Sequence, residues 1–356
     1  MEESVQLRTF TVSDLKEWLL HGHPTDGLSS AIIAPTRAFA IMNNPFVTDV
    51  MPVVCALYVN GEVAAFTAAF PEILQKPEGR LAWWFSTLWC NPRYEGRGYG
   101  LIVVGTLAES IGEDNCFDAE GACETVEIFK MLGLQTTYFP RFVHSGKQID
   151  LRSFKGKIAR LLELIQQCFR YGSVKKSKSR LSNTVYSMTF QRFVDDESFD
   201  FIQHHSQNDI LLRSKKAFNW IVQYPFMQEV HDKRKLERDN VFSSLTSVYR
   251  PSFVKIYSDC RLIGIVYWVL KGNTFSVKYL YYDGQYSDKV FAAIMERCIL
   301  SGATRFETGN RELSVFVHSL RLFTKEESLK VSFSYPREAV AITGGALQAG
   351  EGDMFV

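Results

Sequence analysis

The chain has 356 residues, a net charge of +1 and 46% hydrophobic residues. That length suggests two domains of ordinary size with substantial cores. The near-neutral balance gives no general pull toward nucleic acid or a membrane surface. Met1-Glu2-Glu3-Ser4 is acidic with no apolar segment behind it, so no signal peptide is expected, and no apolar run is long enough to span a membrane. Seven scattered cysteines without zinc spacing fit free thiols in a reducing cytoplasm and no bound metal. His21-Gly22-His23 reads as a solvated loop rather than a pair of metal ligands.

Residues 5–10 alternate as a short strand, and Thr11 with Asp14 forms a capping box for a helix whose apolar face is Leu15, Trp18 and Leu19. Residues 53–59 and 62–70 flank Asn60-Gly61, a strong hairpin signal. Residues 81–90 form the next strand. Behind it stands Asn91-Pro92-Arg93-Tyr94-Glu95-Gly96-Arg97-Gly98-Tyr99-Gly100-Leu101, and Leu101, Val104, Ala108 and Ile111 then follow helical spacing. A strand at 115–119, a helix from Glu124 to Leu132 stopped by Gly133, and a strand at about 134–143 complete this half. Residues 155–169 have helical spacing. Lys175, Lys176, Lys178 and Arg180 read as a basic linker, with RNA contact as the sharper alternative.

The second half repeats this order with few shared identities. Asp195, Asp196, Phe199 and Ile202 echo the capped helix. Residues 253–258 and 261–270 flank a turn at Asp259-Cys260, and a third strand covers about 274–282. A helix carries Val290, Phe291, Ile294, Met295 and Cys298, with further strands at 304–308 and at Leu329 to Tyr335. Arg213 to Pro225, with Trp220, reads either as the lining of a pocket or as core.

The glycine turn carries the chemistry. A helix start leaves backbone N–H groups unpaired, and its dipole favours negative charge. Three glycines in five residues permit positive φ and close approach of a ligand, and Arg93 and Arg97 add charge. This reads as a pyrophosphate site. It is not a Walker loop, for no Gly-Lys-Ser/Thr follows, and the third glycine comes one residue too early for a dinucleotide fingerprint. In the second half, the equivalent Asp283-Gly284-Gln285-Tyr286-Ser287-Asp288 has two acids and no arginine, which repels phosphate.

Pro92-Arg93-x-x-Gly96-x-Gly98-x-Gly100-Leu101 behind a strand resembles the pyrophosphate motif of the GNAT N-acetyltransferase superfamily. The element order of residues 5–143 is similar to that fold, and Glu124 to Leu134 weakly resembles its late helix. The resemblance implies an α/β (α+β) protein of two GNAT-like domains, each a mixed, mostly antiparallel sheet flanked by helices. Their expected bounds are 1–150, which binds acyl-CoA, and 185–356, which is degenerate, joined by a helical and basic linker at 151–184. It implies acetyl-CoA as cosubstrate and a primary amine as acceptor, such as a small metabolite or amino sugar. No membrane or nucleic-acid partner is expected.

The resemblance also implies that Leu88 and Cys90 face pantetheine through their backbone. Arg93, Gly96, Arg97, Gly98, Tyr99, Gly100 and Leu101 would surround the pyrophosphate. The superfamily often has a base on the strand of residues 81–90, but that run carries no carboxylate. Glu72, Glu120 and Asp118 are the nearest acids. Phe129 stands where the superfamily often has a proton-donating tyrosine, leaving Tyr138 and His144 as substitutes by proximity. Cys90 is expected as a buried core thiol rather than a nucleophile. Two further readings stay open: a coenzyme A-binding sensor without turnover, and a peptidyl transferase that draws on aminoacyl-tRNA.

Overall fold

The computed structural model describes residues 3–21, 33–76, 79–146, 185–231, 244–337 and 345–352. His23, the helix expected at 155–169 and the basic run from Lys175 to Arg180 lie outside these residues.

In the N-terminal half, β1 (Val5–Thr11) leads into α1 (Val12–His21), with Asp14 accepting from the Thr11 amide at 2.6 Å as the capping box requires. Helix α2 (Pro35–Met42) follows. Then come β2 (Pro52–Val59), β3 (Glu62–Lys76), β4 (Arg80–Cys90), α3 (Tyr99–Ile111), β5 (Cys116–Ala119), α4 (Cys123–Met131) and β6 (Gln135–Ser145). Asn60 and Gly61 both take positive φ (53° and 80°), the turn that suits the twist of a tight hairpin.

The C-terminal half repeats the pattern. It opens with β7 (Ser187–Gln191), α5 (Asp196–His205), β8 (Leu212–Arg213), α6 (Lys215–Gln223), and the short pair β9 (Gln228–Glu229) and β10 (Leu245–Thr246). It continues with β11 (Tyr249–Ser258), β12 (Arg261–Lys271), β13 (Thr274–Tyr282), α7 (Ser287–Ser301), β14 (Arg305–Thr308), α8 (Arg311–Ser319) and β15 (Lys325–Tyr335). Asp259 and Cys260 (φ 50° and 64°) make the same kind of hairpin turn without a glycine. Sequence periodicity places the long strands. It leaves out the short helices α2, α6 and α8 and the two-residue strands β8, β9 and β10; α6 packs on both halves, through Phe218 on Tyr279 and Trp220 on Phe70.

The two halves join into one sheet of thirteen strands among the described residues. Its order is β1-β2-β3-β4-β5-β15-β6-β14-β13-β12-β11-β7, with β8 on β3. Strand β15 belongs to the C-terminal half in sequence, yet it stands between β5 and β6. It pairs with β6 over its whole length and with β5 at Phe333↔Ala119 and Ser334↔Asp118. Strand β6 in turn carries β14 on its other edge, from Arg305↔Ser145 to Thr308↔Phe142. Each half therefore supplies a strand to the middle of the sheet. Helix α3 covers β2, β3 and β4, burying Val103, Val104, Leu107, Ala108 and Ile111.

One hydrophobic core runs across the joint. Trp84 and Phe117 pack on Phe333 with ring centroids 6.1 and 6.3 Å away. Trp220 belongs to this core: it is buried between Phe70 and Phe226, and its Nε1 donates to the Ala40 carbonyl at 2.7 Å. At the centre lies Arg213, fully buried. Its Nε donates to the Tyr279 hydroxyl at 2.7 Å, Nη2 donates to the Gly352 carbonyl at 2.7 Å, and Nη1 pairs with Glu72. Glu351 Oε2 is 3.2 Å from Nε. Burial works against charge on this guanidinium, but Glu72, Tyr279 and Glu351 outweigh it and keep Arg213 a cation.

Candidate functional site

Strands β3 and β4 pair regularly from Leu74↔Arg80 to Ala68↔Ser86, then lose register and resume at Phe66↔Trp89. Thr87 and Leu88 thus stand opposite Thr67 alone, a β-bulge. Thr87 takes φ 59°, rare for a β-branched residue, and its hydroxyl donates to the Ser86 carbonyl at 2.6 Å. Such a conformation costs on the order of 1–3 kcal/mol and tends to occur at functional sites.

On its other edge β4 pairs with β5 only at Trp83↔Cys116 and Trp84↔Phe117. Beyond that point the parallel strands part. A cavity of about 320 Å³ occupies the opening, within the range of small-molecule sites. Ser86, Thr87 and Leu88 form one wall, and Asp118 and Glu120 form the other. Phe129 with Phe85 closes the floor, their rings edge to face at 5.1 Å.

Leu88 lines the cavity, and its Cδ1 would lie 4.0 Å from a Cβ at Gly100; beyond it β4 ends at Cys90 and runs into the glycine turn. Asn91 shapes its start: its side chain accepts from the Arg93 amide at 3.0 Å and donates to Glu62 at 3.1 Å. Gly96 and Gly98 take φ 78° and 75°, and a Cβ at either would meet open space. Backbone angle, not crowding, requires glycine there. Gly100 differs. A Cβ there would lie 2.9 Å from Cys90 Sγ and 3.3 Å from Ile128 Cδ1, so the third glycine lets α3 begin hard against the end of β4.

Helix α3 has Gly98 at its cap position and no side-chain cap. The amides of Tyr99, Gly100 and Leu101 meet no acceptor among the described residues. Unpaired amides at a helix start are the groups that take an anion, although Gly100 itself is buried here. The two arginines are engaged with acids at the rim. Arg97 is 2.6 Å from Glu3, with its guanidinium 5.4 Å from the Tyr94 ring centroid, and Arg93 is 3.3 Å from Glu62. Exposed pairs of this kind contribute about 0–1 kcal/mol, so they give way to a stronger ligand.

The acids suggested by sequence have separate fates. Asp118 lines the cavity and is buried; a Cβ at Gly121 would stand 2.6 Å from its Oδ2, so glycine is needed for the carboxylate to lie there. Glu120 lies at the rim in a left-handed conformation (φ 62°), paired with Arg141. Glu72 is away from the cavity. Its Oε2 accepts from Trp84 Nε1 at 2.9 Å and from Arg213, and burial raises its pKa against the pull of Arg213. That geometry makes Glu72 part of the joint. Tyr138 lies on β6 opposite Ser332, half exposed and outside the cavity lining. His144 is buried with Nε2 2.8 Å from the Ser314 hydroxyl, and burial lowers its pKa. Cys90, expected to be buried, is exposed at the end of β4. Partial burial of its thiol and then nearby Glu95 raise its pKa, which disfavours a thiolate nucleophile.

Two site residues were not legible in the sequence. Thr67, inside an apolar run, lines the cavity with its buried hydroxyl unpartnered among the described residues. Arg37 of α2 is buried, bonds Ser86 through Nη1 and lies 4.6 Å from the Phe226 ring centroid. Pro35 at the start of an apolar-periodic stretch was the available signal for that helix. Among the described residues no group of His, Cys, Asp or Glu could hold a metal ion, and no helix is long and apolar enough to cross a membrane.

No family model matches this chain, and no curated protein matches it in sequence. Solved structures do resemble it. An acetyltransferase candidate from Pyrococcus horikoshii is 10% identical with a TM-score of 0.50, the match covering 98% of this chain and 96% of that one. A conserved protein of unknown function from Enterococcus faecalis V583, a candidate N-acyltransferase, is 10% identical with a TM-score of 0.50 over 95% and 74%. N-myristoyltransferase of Saccharomyces cerevisiae, solved with myristoyl-CoA, is 8% identical with a TM-score of 0.51 over 94% and 85%. At such identities the likeness is one of fold.

Proposed function

We propose that this chain, which has the GNAT fold, is an acyl-coenzyme A-dependent N-acyltransferase. On this reading it moves an acetyl group from acetyl-CoA to the primary amine of a small acceptor, such as a metabolite or amino sugar. One observation carries the reading: strands β4 and β5 part beside an uncapped helix start that is reached through two positive-φ glycines. The amides of Tyr99, Gly100 and Leu101 would take the pyrophosphate, and the freed edge of β4 from Thr87 to Cys90 would pair with the amides of the pantetheine arm.

The acceptor amine would attack the thioester carbonyl directly. The new C–N bond forms as the C–S bond breaks, and the thiolate leaves. Asp118 is the residue we place as acceptor of the amine proton, since its buried carboxylate lines the cavity opposite the bulge of β4. Phe129 has no proton to give, so water would protonate the thiolate. On this reading the Phe85–Phe129 pair would bound the acyl end of the cavity.

Titration with acetyl-CoA tests the site. At a hundredfold excess over Kd the native state gains about 2.7 kcal/mol, read as a rise in Tm. No rise at millimolar acetyl-CoA would remove the reading. Phe129 in the place of a proton donor favours a second one, a coenzyme A-binding sensor. Thiol release with a panel of amines separates the two, since a sensor binds without turnover.

A further inference from the structure

The C-terminal half contains a second copy of the opening just described. Strand β13 pairs with β14 only from Thr274↔Arg305 to Val277↔Thr308, then continues to Tyr282 on β12 with no strand on its other edge among the described residues. It carries its own bulge, for Tyr267↔Tyr279 is followed by Trp268↔Val277 with Lys278 left over. By register Leu280 matches the region of Leu88, and its amide points to the edge that β14 has left.

That amide is taken. Leu280 N donates to Gln348 Oε1 at 3.2 Å. Gln348 Nε2 donates to Asp209 at 3.0 Å, and the Tyr279 hydroxyl donates to the Gly350 carbonyl at 2.6 Å. A Cβ at Gly309, just past β14, would lie 3.5 Å from Ala349 Cβ and 3.6 Å from the Leu347 carbonyl. Residues 347–350 therefore bridge the gap between β13 and the end of β14. The segment is anchored upstream by a parallel bridge, with Ile210 N donating to the Ala346 carbonyl at 2.8 Å and Ala346 N to the Asn208 carbonyl at 2.7 Å. Downstream it reaches the first half. Gly352 accepts from Arg213, and a Cβ there would stand 3.0 Å from Ala119 Cβ and 3.4 Å from the Trp84 ring. Ala119 lines the first cavity.

The occupied edge accounts for the composition of this segment. Gly345-Ala346-Leu347-Gln348-Ala349-Gly350-Glu351-Gly352 is small almost throughout, and a side chain at Gly350 would run into the Tyr279 ring. The one long neutral polar group, Gln348, presents an amide to a strand edge that lacks a partner. A pantetheine arm, itself a chain of amides, would offer the same groups to the equivalent edge of β4.

We infer that Gly345–Gly352 is a resident ligand of the second cleft: it excludes an acyl-coenzyme A arm there and braces the Ala119 wall of the first cleft. The exclusion rests on the acyltransferase reading above, whereas the bracing does not. The acids of the second turn and the tail then close that half to coenzyme A twice over, by charge and by occupation.

The test is amide hydrogen exchange on the full chain, with Gln348→Ala and Gly350→Val beside the parent. Loss of one hydrogen bond should speed exchange at Leu280 roughly fivefold to tenfold in Gln348→Ala. Gly350→Val, which drives the segment off Tyr279, should have a larger effect. Residues 118–121 should exchange faster in both variants, and the middle of α3 should not change. Unaltered exchange at Leu280 in Gln348→Ala would overturn the assignment, and a change at Leu280 without one at 118–121 would remove the brace. Neither result depends on coenzyme binding. Calorimetric titration of the parent with coenzyme A then addresses exclusion separately: one equivalent per chain supports it and two overturn it, while no binding at all would sink the acyltransferase reading and the exclusion that rests on it.

Discussion

In the N-terminal half, β4 leads through Gly96, Gly98 and Gly100 into α3; in the C-terminal half, β13 leads through Asp283 and Gly284 into α7. Both strands bulge, and both part from a short parallel neighbour. The surfaces they offer are opposite. The first turn leaves three amides unpaired among the described residues. In the second, Asp283 accepts from the Gln285 amide at 3.2 Å and from Arg261 at 2.9 Å, and Asp288 lies in the first helical turn. The hydrogen bond from Gln285 holds the Asp283 carboxyl below its ordinary pKa, so the charge is present at neutral pH. Backbone architecture alone thus leaves the ligand undecided. The two halves differ in the residues that line the turn and in the chain that fills the gap, and on the proposed function these would decide whether a phosphate can enter.

The sharpest way to break this contrast is Gly98→Glu. It forces a side chain into φ 75° and puts a carboxylate at the amides of α3, so the acetyl-CoA shift in Tm should vanish. A retained shift would mean that the phosphate lies elsewhere. Next comes Asp118→Asn, which should lower turnover by a factor of about 10²–10⁴ while the Tm shift persists. Turnover equal to the parent's would release Asp118 from its role.

The joint between the halves is open to a stability test. Arg213→Ala leaves Glu72 buried without its cation and Glu351 and Tyr279 without a hydrogen-bonding partner, and should reduce unfolding free energy by about 3–5 kcal/mol in urea titration. A loss under 1 kcal/mol would show that the ion cluster is dispensable.

Dependence on pH follows from the same cluster. Burial raises Glu351 from its ordinary 4.5 to about 8, and Glu72 and Asp209 add to the rise while Arg213 opposes it. Burial likewise raises Asp209 from 3.8 to about 6, opposed by Gln348 and Lys76. The tyrosines facing them, Tyr279 and Tyr281, stay protonated throughout. In the folded state both acids keep a proton that the unfolded chain gives up. Their contribution is therefore greatest below pH 4 and falls as pH rises, through 6 for Asp209 and through 8 for Glu351. Urea midpoints between pH 5 and pH 9 should decline, and Glu351→Gln should flatten the upper part of that slope. An equal slope in the variant would assign it to other groups. The smallest effect is expected from Asp283→Gly: with the tail still in place, acetyl-CoA stoichiometry should not change.

Local chemistry was enough to read much of this protein. Asn60-Gly61 and Asp259-Cys260 mark their hairpins because few residues accept positive φ at two consecutive positions. Thr11 and Asp14 mark the first helix by their own hydrogen bonds. Gly96, Gly98 and Gly100 mark the turn because its backbone angles and its closeness to Cys90 exclude other side chains. The same local rules show Asp283 and Asp288 as foreign to a phosphate.

What the chain order could not reveal depends on partners far away in sequence. Glu72 looks like any acid near the site until Arg213, from the other half, claims it. Strand β15 alternates like an ordinary last strand, and nothing in that pattern says that it will stand between β5 and β6. Thr67 becomes a site residue only when the bulge sets it opposite Thr87 and Leu88, and Arg37 only when α2 brings it to Ser86. Periodicity reports which face of an element is apolar. Only the assembled sheet decides what that face meets, because burial and ion pairing are properties of neighbours, and neighbours are set by topology.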